Sequence, residues 1–174
     1  MTEIKRIFRD EHNSAEFDFS AALWASDEIH RVFAATIKNT ILSDVDFVAE
    51  TEDALVLVEY KNACSPDVEK PEGFKPSSDK MMNKIAYKYY DSWIYLDAIG
   101  KTQKPIDYVY VVEYPNADRR TRKELRNRIA DLLPFKLQKL PQAQKNLIRS
   151  FKVLSVEEWN RDEQYSRFPI ALLY

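Results

Sequence analysis

The sequence predicts an α/β fold, a mixed central β-sheet flanked by helices. Two observations support this prediction. Segments rich in β-branched and aromatic residues alternate with amphipathic helical segments, and two of the predicted strands lie close enough to form a hairpin. The predicted order is helix, hairpin, helix, strand, helix, strand, which is typical of a mixed sheet with helices packed against it. With 174 residues, 45% of them hydrophobic, the chain is expected to form one domain over residues 1–174.

The first half of the chain contains the predicted hairpin. A helix is predicted over residues 26–39, because Ser26 is a good N-cap and apolar residues recur every fourth position at Ile29, Phe33 and Ile37. Two strands then follow, at about 45–51 and 54–61. The next segment, 62–79, holds three prolines and a glycine and is predicted to be a long loop.

The second half alternates helices and strands. A helix is predicted over 80–98, with Ser78 or Asp79 as its cap and Gly100 at its end. The segment "IDYVYVVEY" at 106–114 is typical of a strand. The remaining predicted elements are a basic helix at 118–133, a last strand at 151–156 and a closing helical turn in "VEEWNRDEQ".

The composition excludes several classes of protein. No run of eighteen apolar residues is present, so we expect no membrane partner, and the charged N-terminus lacks the apolar core of a signal peptide. The single cysteine, Cys64, cannot form an internal disulfide and favours the reducing cytoplasm. Two histidines and one cysteine argue against a zinc site, and two glycines argue against a glycine-rich phosphate loop.

Charged residues interrupt the predicted hairpin, "DVDFVAETEDALVLVEYKNA" at residues 44–63. If its tip is Glu52-Asp53, Asp46 lies directly opposite Glu59, and opposed residues of an antiparallel pair point to the same side. The period-2 alternation of a strand places Lys61 on that side as well, with Asp44 beside it.

Two carboxylates placed face to face repel each other unless a cation offsets them. A divalent cation such as Mg²⁺ is one such partner, and the ammonium group of Lys61 in a surface network is the other. The residues before Glu59, "ALVLV", indicate a strand that is buried on both faces. Because a buried ion cluster contributes little to stability, we favour a functional site.

Asp46, followed thirteen positions later by Glu59-Tyr60-Lys61, resembles the signature of the PD-(D/E)xK nuclease superfamily, whose core is the restriction-endonuclease-like fold. In element order the resemblance covers about residues 26–114. Val45 stands where the signature names a proline. Only "TILS", at 40–43, could supply the strand that this fold places before Asp46.

The resemblance implies Mg²⁺-dependent hydrolysis of phosphodiester bonds, with Mn²⁺ as a substitute for Mg²⁺. Asp46, Glu59 and the carbonyl of Tyr60 would be metal ligands, and Lys61 would activate water or stabilise the developing charge. A glutamate from the opening helix often joins the metal in this family, and Glu28 is the candidate here. The alternative is that Glu28 interacts with the dipole of its own helix.

Two basic helices are candidates for contact with nucleic acid, which we expect to be DNA. Lys80, Lys84 and Lys88 recur every fourth residue, on the side of the helix predicted to face away from the core. Lys84 and Lys88 are candidates for contact with the DNA backbone; a merely solvated helix face is the alternative. The helix "RRTRKELRNR" carries six cations, and its candidates share one face: Arg119, Lys123 and Arg126. A soluble basic helix would look the same.

Three hypotheses follow for the function. The first is a stand-alone Mg²⁺-dependent endonuclease, for which cleavage of both strands would suggest a homodimer. The second is a catalytically silent domain on the same fold that binds nucleic acid or protein. The third is another hydrolase with a Mg²⁺ carboxylate site on a different fold.

Overall fold

The computed structural model describes residues 5–174, which form a mixed α/β fold with eight strands and four α-helices. In chain order the elements are β1 (Ile7–Arg9), β2 (Ala15–Asp18), β3 (Trp24–Ser26), α1 (Ile29–Thr36), β4 (Phe47–Glu50), β5 (Leu55–Asn62), α2 (Asp79–Ala98), β6 (Ile106–Glu113), α3 (Arg119–Ala130), β7 (Ser150–Leu154), α4 (Val156–Arg161) and β8 (Ile170–Leu172). Short 3₁₀ turns occur at Pro71–Gly73 and Leu137–Lys139.

A five-stranded mixed sheet in the order β3-β4-β5-β6-β7 forms the centre of the molecule. The strands β3, β4 and β5 are antiparallel, whereas β5, β6 and β7 run parallel. A second, three-stranded antiparallel sheet has the order β1-β2-β8. The mixed sheet predicted from the sequence is therefore confirmed, and the second sheet is an addition to it.

The central sheet buries both of its faces, and β5 contributes to both cores. Leu55 and Leu57 pack with side chains from α1, α2 and α3, while Val56, Val58 and Tyr60 pack against the second sheet and α4. These five side chains are at most 3% exposed. The prediction that "ALVLV" lies buried on both faces is confirmed, and β5 is fixed between two layers.

The register of the hairpin is the one predicted. Phe47 pairs with Val58 and Glu50 pairs with Leu55, so each pair keeps the spacing set by a tip at Glu52-Asp53. The chain reverses through a short turn that Thr51 closes, because its backbone N–H donates to the carbonyl of Ala54 at 2.8 Å. A strand pair in this register directs Asp46 and Glu59 to the same side.

The long helix α2 begins and ends where its sequence predicts. The Ser78 hydroxyl accepts a hydrogen bond from the backbone N–H of Met81, as an N-cap does. Gly100 follows the helix with a φ of 74°, a left-handed conformation that glycine adopts without strain. The helix α3 is capped by Asp118 and ends at Ala130, so it is slightly shorter than predicted.

The first helix and the first strand differ from the prediction. The helix α1 covers only Ile29–Thr36, and Ser26 belongs to β3 instead of capping the helix. The first strand of the central sheet is β3, which lies before α1; residues 40–43, the predicted alternative, form no strand. Three-residue strands such as β3 are too short for sequence alternation to reveal them.

The strands β1, β2 and β8 were absent from the prediction. β2 pairs with the distant β8, with Phe17 opposite Ile170, whereas β1 pairs with β2 across a short turn. Two tyrosines of β6, Tyr108 and Tyr110, are both 0% exposed. In residues 5–174 no helix is long and apolar enough to cross a membrane.

Asp107 on β6 provides a test of a buried ion pair that stabilises the central sheet. Its side chain is 0% exposed and lies 2.5 Å from Nη2 of Arg149. Gln164 and Ser150 donate two further hydrogen bonds to its carboxylate. We expect Asp107→Ala to lower the free energy of unfolding by about 3 kcal/mol, because Arg149, Ser150 and Gln164 all lose hydrogen bonds to this one buried carboxylate.

Asp53 is the matched control, since it contacts the same Arg149 at 3.1 Å but its side chain is 64% exposed. Asp53→Ala should lower the free energy of unfolding by less than about 1 kcal/mol. Urea denaturation followed by circular dichroism measures both values. Equal losses for the two variants would contradict the assignment of Asp107 as the stabilising partner.

Candidate active site

Asp46 and Glu59 lie side by side where the hairpin meets α2. Asp46 immediately precedes β4, and its Oδ2 accepts a hydrogen bond of 2.8 Å from the backbone N–H of Tyr60. The segment before it is fixed to α2, because the Val45 N–H donates to Oγ of Ser92 at 2.9 Å. Both strands of the hairpin and one helix therefore position the Asp46 carboxylate.

The cation nearest to both carboxylates is Lys88 of α2. Its Nζ lies 2.8 Å from each carboxylate oxygen of Glu59 and 3.8 Å from Oδ1 of Asp46. The side chain of Glu59 is 0% exposed and that of Lys88 is 11% exposed. One ammonium group thus neutralises a carboxylate that water does not reach.

The electrostatics of this group follow from its burial. Burial, together with the charge of Asp46, raises the pKa of Glu59, and the Lys88 ammonium opposes that rise. Burial acts to lower the pKa of Lys88, but the carboxylates of Glu59 and Asp46 outweigh it and raise this pKa. Burial also raises the pKa of Asp46. The charged state of Lys88 therefore favours the charged states of Asp46 and Glu59, and their charges favour that of Lys88.

Lys61 follows Glu59 by two positions on β5 and contacts a different carboxylate. Its Nζ lies 3.5 Å from Oε1 of Glu11, which belongs to the turn between β1 and β2. Lys61 lowers the pKa of Glu11, and its charge also acts on Asp46 and Glu59. Asp46 and Glu59 therefore share the Lys88 ammonium, while Lys61 lies beside them in contact with Glu11.

Two cavities adjoin Asp46. One, of about 250 Å³, has Lys61, Tyr60 and Phe74 in its lining. The other, of about 330 Å³, has Lys88 and Asp44 in its lining. Asp46 and the Glu11 turn line both cavities, so solvent reaches the site from two directions.

Asp44 adds a further carboxylate to the second cavity. Its Oδ1 lies 3.2 Å from Nδ1 of His30, and burial raises its pKa. His30 belongs to α1, which places a titratable side chain at the mouth of the cavity. The predicted position of Asp44 beside the site is confirmed.

The side chains fit a hard divalent cation in the type of atom that they offer. Within residues 5–174, no group of three or more His, Cys, Asp or Glu side chains lies close enough to hold a metal ion together. Mg²⁺, however, commonly takes one or two protein carboxylates and completes its shell with water and substrate phosphate. The two carboxylates that converge here are Asp46 and Glu59, and the point between them is occupied by the ammonium of Lys88.

Glu28 does not join this site. It is an exposed residue at the N-cap position of α1 and forms an ion pair with Arg31. The prediction that Glu28 lies beside the metal ligands is wrong, because the helix begins three residues later than the sequence pattern suggested and turns this side chain outward. Glu11, from a turn that sequence periodicity does not reveal, is the glutamate that reaches the cavities at Asp46.

The predicted position of Lys88 on the exposed face of α2 is also wrong. A repeat of four residues advances around an α-helix by roughly 40° per step, since one turn takes 3.6 residues. From Lys80 to Lys88 this rotation adds up to about 80°, which moves the side chain from the solvent-facing side to the buried side of the helix. Lys88 follows the buried Ile85 by three residues and so lies on the same face. Lys84, one turn earlier, is exposed as predicted.

The basic helix α3 separates into paired and unpaired cations. Arg122 is buried against Glu158 at 2.8 Å, and Arg126 donates to the backbone carbonyl of Phe151 on β7. Arg119 and Lys123 are exposed, and within residues 5–174 neither forms an ion pair. Of the three cations predicted to contact nucleic acid, Arg119 and Lys123 are therefore without an ion-pair partner in the described residues. Arg126 is hydrogen-bonded to the backbone of β7.

Comparison of the chain with models of known protein families, with curated proteins and with solved structures found no match in any of the three.

Removing the Lys88 ammonium tests whether it neutralises the buried carboxylates. We expect Lys88→Met to lower the free energy of unfolding by about 3 kcal/mol at pH 8.5 without metal, because the buried Glu59 must then either stay charged without a partner or take up a proton at a pH far above its ordinary pKa. The loss should shrink at pH 5.5. Burial already raises the pKa of Glu59, removal of Lys88 raises it further, and a protonated Glu59 needs no cation.

Lys84→Met is the control, because it makes the same substitution one turn earlier at an exposed position. Its effect on the free energy of unfolding should stay below about 0.5 kcal/mol at both pH values. Chemical denaturation at the two pH values measures these differences. A loss for Lys88→Met that does not depend on pH would contradict the role assigned to the ammonium.

Proposed function

We propose that this protein is a metal-dependent nuclease that hydrolyses phosphodiester bonds, with DNA as its substrate. One observation carries the proposal: two carboxylates from adjacent antiparallel strands converge on a single cation position, with a lysine two residues further along the same strand. Asp46, Glu59 and Lys61 supply these groups.

Asp46 and Glu59 would hold Mg²⁺ or Mn²⁺, with the carbonyl of Tyr60 as a further oxygen ligand. When bound, the cation supplies a more acidic water and neutralises charge on the phosphate. The chain itself orients the ligands, because the backbone N–H of Tyr60 holds one oxygen of Asp46 in place and leaves the other directed towards Glu59 and Lys88.

Lys61 is suited to act on the phosphate or on the attacking water. Its side chain is 27% exposed and lines the cavity beside Asp46, and its ammonium lies 3.5 Å from a single carboxylate, that of Glu11. Such a contact between partly exposed groups is weak enough to exchange for a phosphate oxygen. Lys61 could then hold a proton and stabilise the negative charge that develops on the phosphate.

The surroundings of the site also support a polyanionic substrate. The strands β5 and β6 are parallel, so their carboxyl ends lie at the same edge of the sheet, where α3 begins shortly after β6. The free cations Arg119 and Lys123 lie in the first turns of α3. They place positive charge on the same edge as the acidic site, as a phosphate backbone that spans the two would require.

The nuclease assignment is tested by incubating plasmid DNA with the protein in Mg²⁺ and in Mn²⁺. We expect metal-dependent cleavage that falls by at least about 100-fold in Asp46→Asn and in Lys61→Met, because each variant removes a group that acts on the transition state. Chelation of the metal should abolish cleavage in the unsubstituted protein.

Lys104→Met is the matched control for Lys61→Met. Lys104 is exposed to a similar degree, 29% against 27%, and pairs with Glu50 near the opposite end of the hairpin. It should keep full activity. Undiminished cleavage by Asp46→Asn would contradict the nuclease assignment. A loss of cleavage in Lys104→Met as large as that in Lys61→Met would contradict it as well.

A second function is favoured by one observation. Because Lys88 already neutralises Glu59, the site is complete without metal, as expected of a catalytically silent domain that binds nucleic acid. Binding of DNA in a gel shift, with no cleavage in either metal, would support this function. The cleavage assay therefore distinguishes the two.

Both functions predict that α3 contributes to the binding of nucleic acid. Arg119→Ala and Lys123→Ala should each weaken binding for all sequences alike and lower the slope of log K against log salt concentration by about 1. Lys104→Ala is the control, because Lys104 precedes β6 and pairs with Glu50 at the edge of the sheet opposite to the start of α3. Fluorescence anisotropy over a salt series measures the slopes. An unchanged slope in the first two variants would exclude this face from the interface.

A further inference from the structure

The proposed chemistry gives Lys88 no role, although its ammonium contacts both of the predicted carboxylate ligands. It lies in the middle of α2 and is held there from both sides along the helix. Ile85 packs in the core one turn earlier, and Ser92 accepts the Val45 N–H one turn later. The packing of α2 therefore fixes the backbone of Lys88 beside the hairpin. From this position its side chain reaches both carboxylates.

The Lys88 ammonium and a divalent cation cannot both occupy this point. Nζ lies 2.8 Å from both oxygens of Glu59, which is hydrogen-bond distance on each. A bound Mg²⁺ would lie about 2.1 Å from an oxygen of the same carboxylate. The two cations would then be only a few ångströms apart against a fully buried carboxylate, where like charges repel more strongly than in bulk water.

The balance of charge leads to the same conclusion. Glu59 is 0% exposed, and both of its carboxylate oxygens already have the Lys88 ammonium as a partner. Lys61 is paired with a different carboxylate, that of Glu11. A divalent cation added without the departure of Lys88 would leave a surplus of positive charge around a fully buried glutamate, which is unfavourable.

The structure provides a place for the displaced ammonium. The cavity of about 330 Å³ beside Asp46 is lined by Lys88 itself and by Asp44. The Asp44 carboxylate is close enough to contribute to the raised pKa of Lys88, and its visible partner is the exposed His30. A rotation of the flexible lysine side chain towards Asp44 would keep the ammonium paired.

We propose that Lys88 is a positioning residue that holds the carboxylates of Asp46 and Glu59 in place of the divalent cation, and that cation binding displaces its ammonium into the cavity beside Asp44. The inference rests on the proposed function, because it concerns how the same site takes up its metal. It makes Lys88 and the metal competitors for one position.

The first test measures Mn²⁺ binding by titration calorimetry, with no nucleic acid present. Lys88→Met should bind Mn²⁺ about tenfold or more tightly than the unsubstituted protein, since the metal no longer has to displace a buried ammonium. Lys84→Met, on the exposed side of the same helix, should bind Mn²⁺ with unchanged affinity.

The second test needs no substitution and so does not depend on the folding of a variant. The unsubstituted protein is acetylated briefly with and without Mn²⁺, and each lysine is quantified by peptide mass spectrometry. Lys88 is buried and should react slowly without metal, then several-fold faster with it. Lys84 serves as the internal control, because its exposed amine should react equally in both samples.

Each outcome decides the inference. Tighter Mn²⁺ binding by Lys88→Met together with faster labelling of Lys88 supports it. Mn²⁺ binding by the unsubstituted protein with no change in Lys88 labelling overturns it and leaves the nuclease proposal intact. Mn²⁺ binding by Lys88→Met alone supports it but contradicts metal-dependent activity in the unsubstituted protein. Absence of Mn²⁺ binding in every variant overturns both.

Discussion

The side chain of Glu59 is fully buried in the core of this protein. The site depends on a cation that neutralises this carboxylate. Glu59 is placed there by β5, whose neighbours on both faces are core residues. A buried carboxylate without a cation would be strongly destabilising, so something must pair with it. In this structure the partner is Lys88, from a helix that packs on the same face of the sheet.

The fold gives this pairing its geometry. The hairpin register brings Asp46 opposite Glu59, the backbone of Tyr60 fixes one oxygen of Asp46, and α2 presents Lys88 to both carboxylates. The second sheet covers the other face and sends the β1–β2 turn to the edge of the site, where Glu11 meets Lys61. The charged groups of the site therefore come from the β1–β2 turn, the hairpin and α2, which are separate in the sequence.

Local patterns in the sequence were sufficient to predict the hairpin, α2 and the placement of Asp46 opposite Glu59, because turn residues, caps and strand alternation are local properties. They were insufficient for β1, β2, β3 and β8, which are only three or four residues long, and of which β3 and β8 also pair with strands far away in the sequence. Lys88 was misplaced for a different reason: the burial of a helical side chain depends on a few tens of degrees of rotation. The contact of Glu11 depends on how two sheets pack, which no local pattern encodes.

The central claim is that Asp46 and Glu59 share one cation position, which Lys88 and a metal occupy in turn. The most direct measurement is a crystal structure with Mn²⁺, in which anomalous scattering locates the metal. The account predicts an Mn²⁺ peak within about 2.2 Å of oxygens from both carboxylates, with Nζ of Lys88 moved towards Asp44. A structure with Lys88 still bound to Glu59, and with no Mn²⁺ peak between the carboxylates at saturating metal, would contradict it.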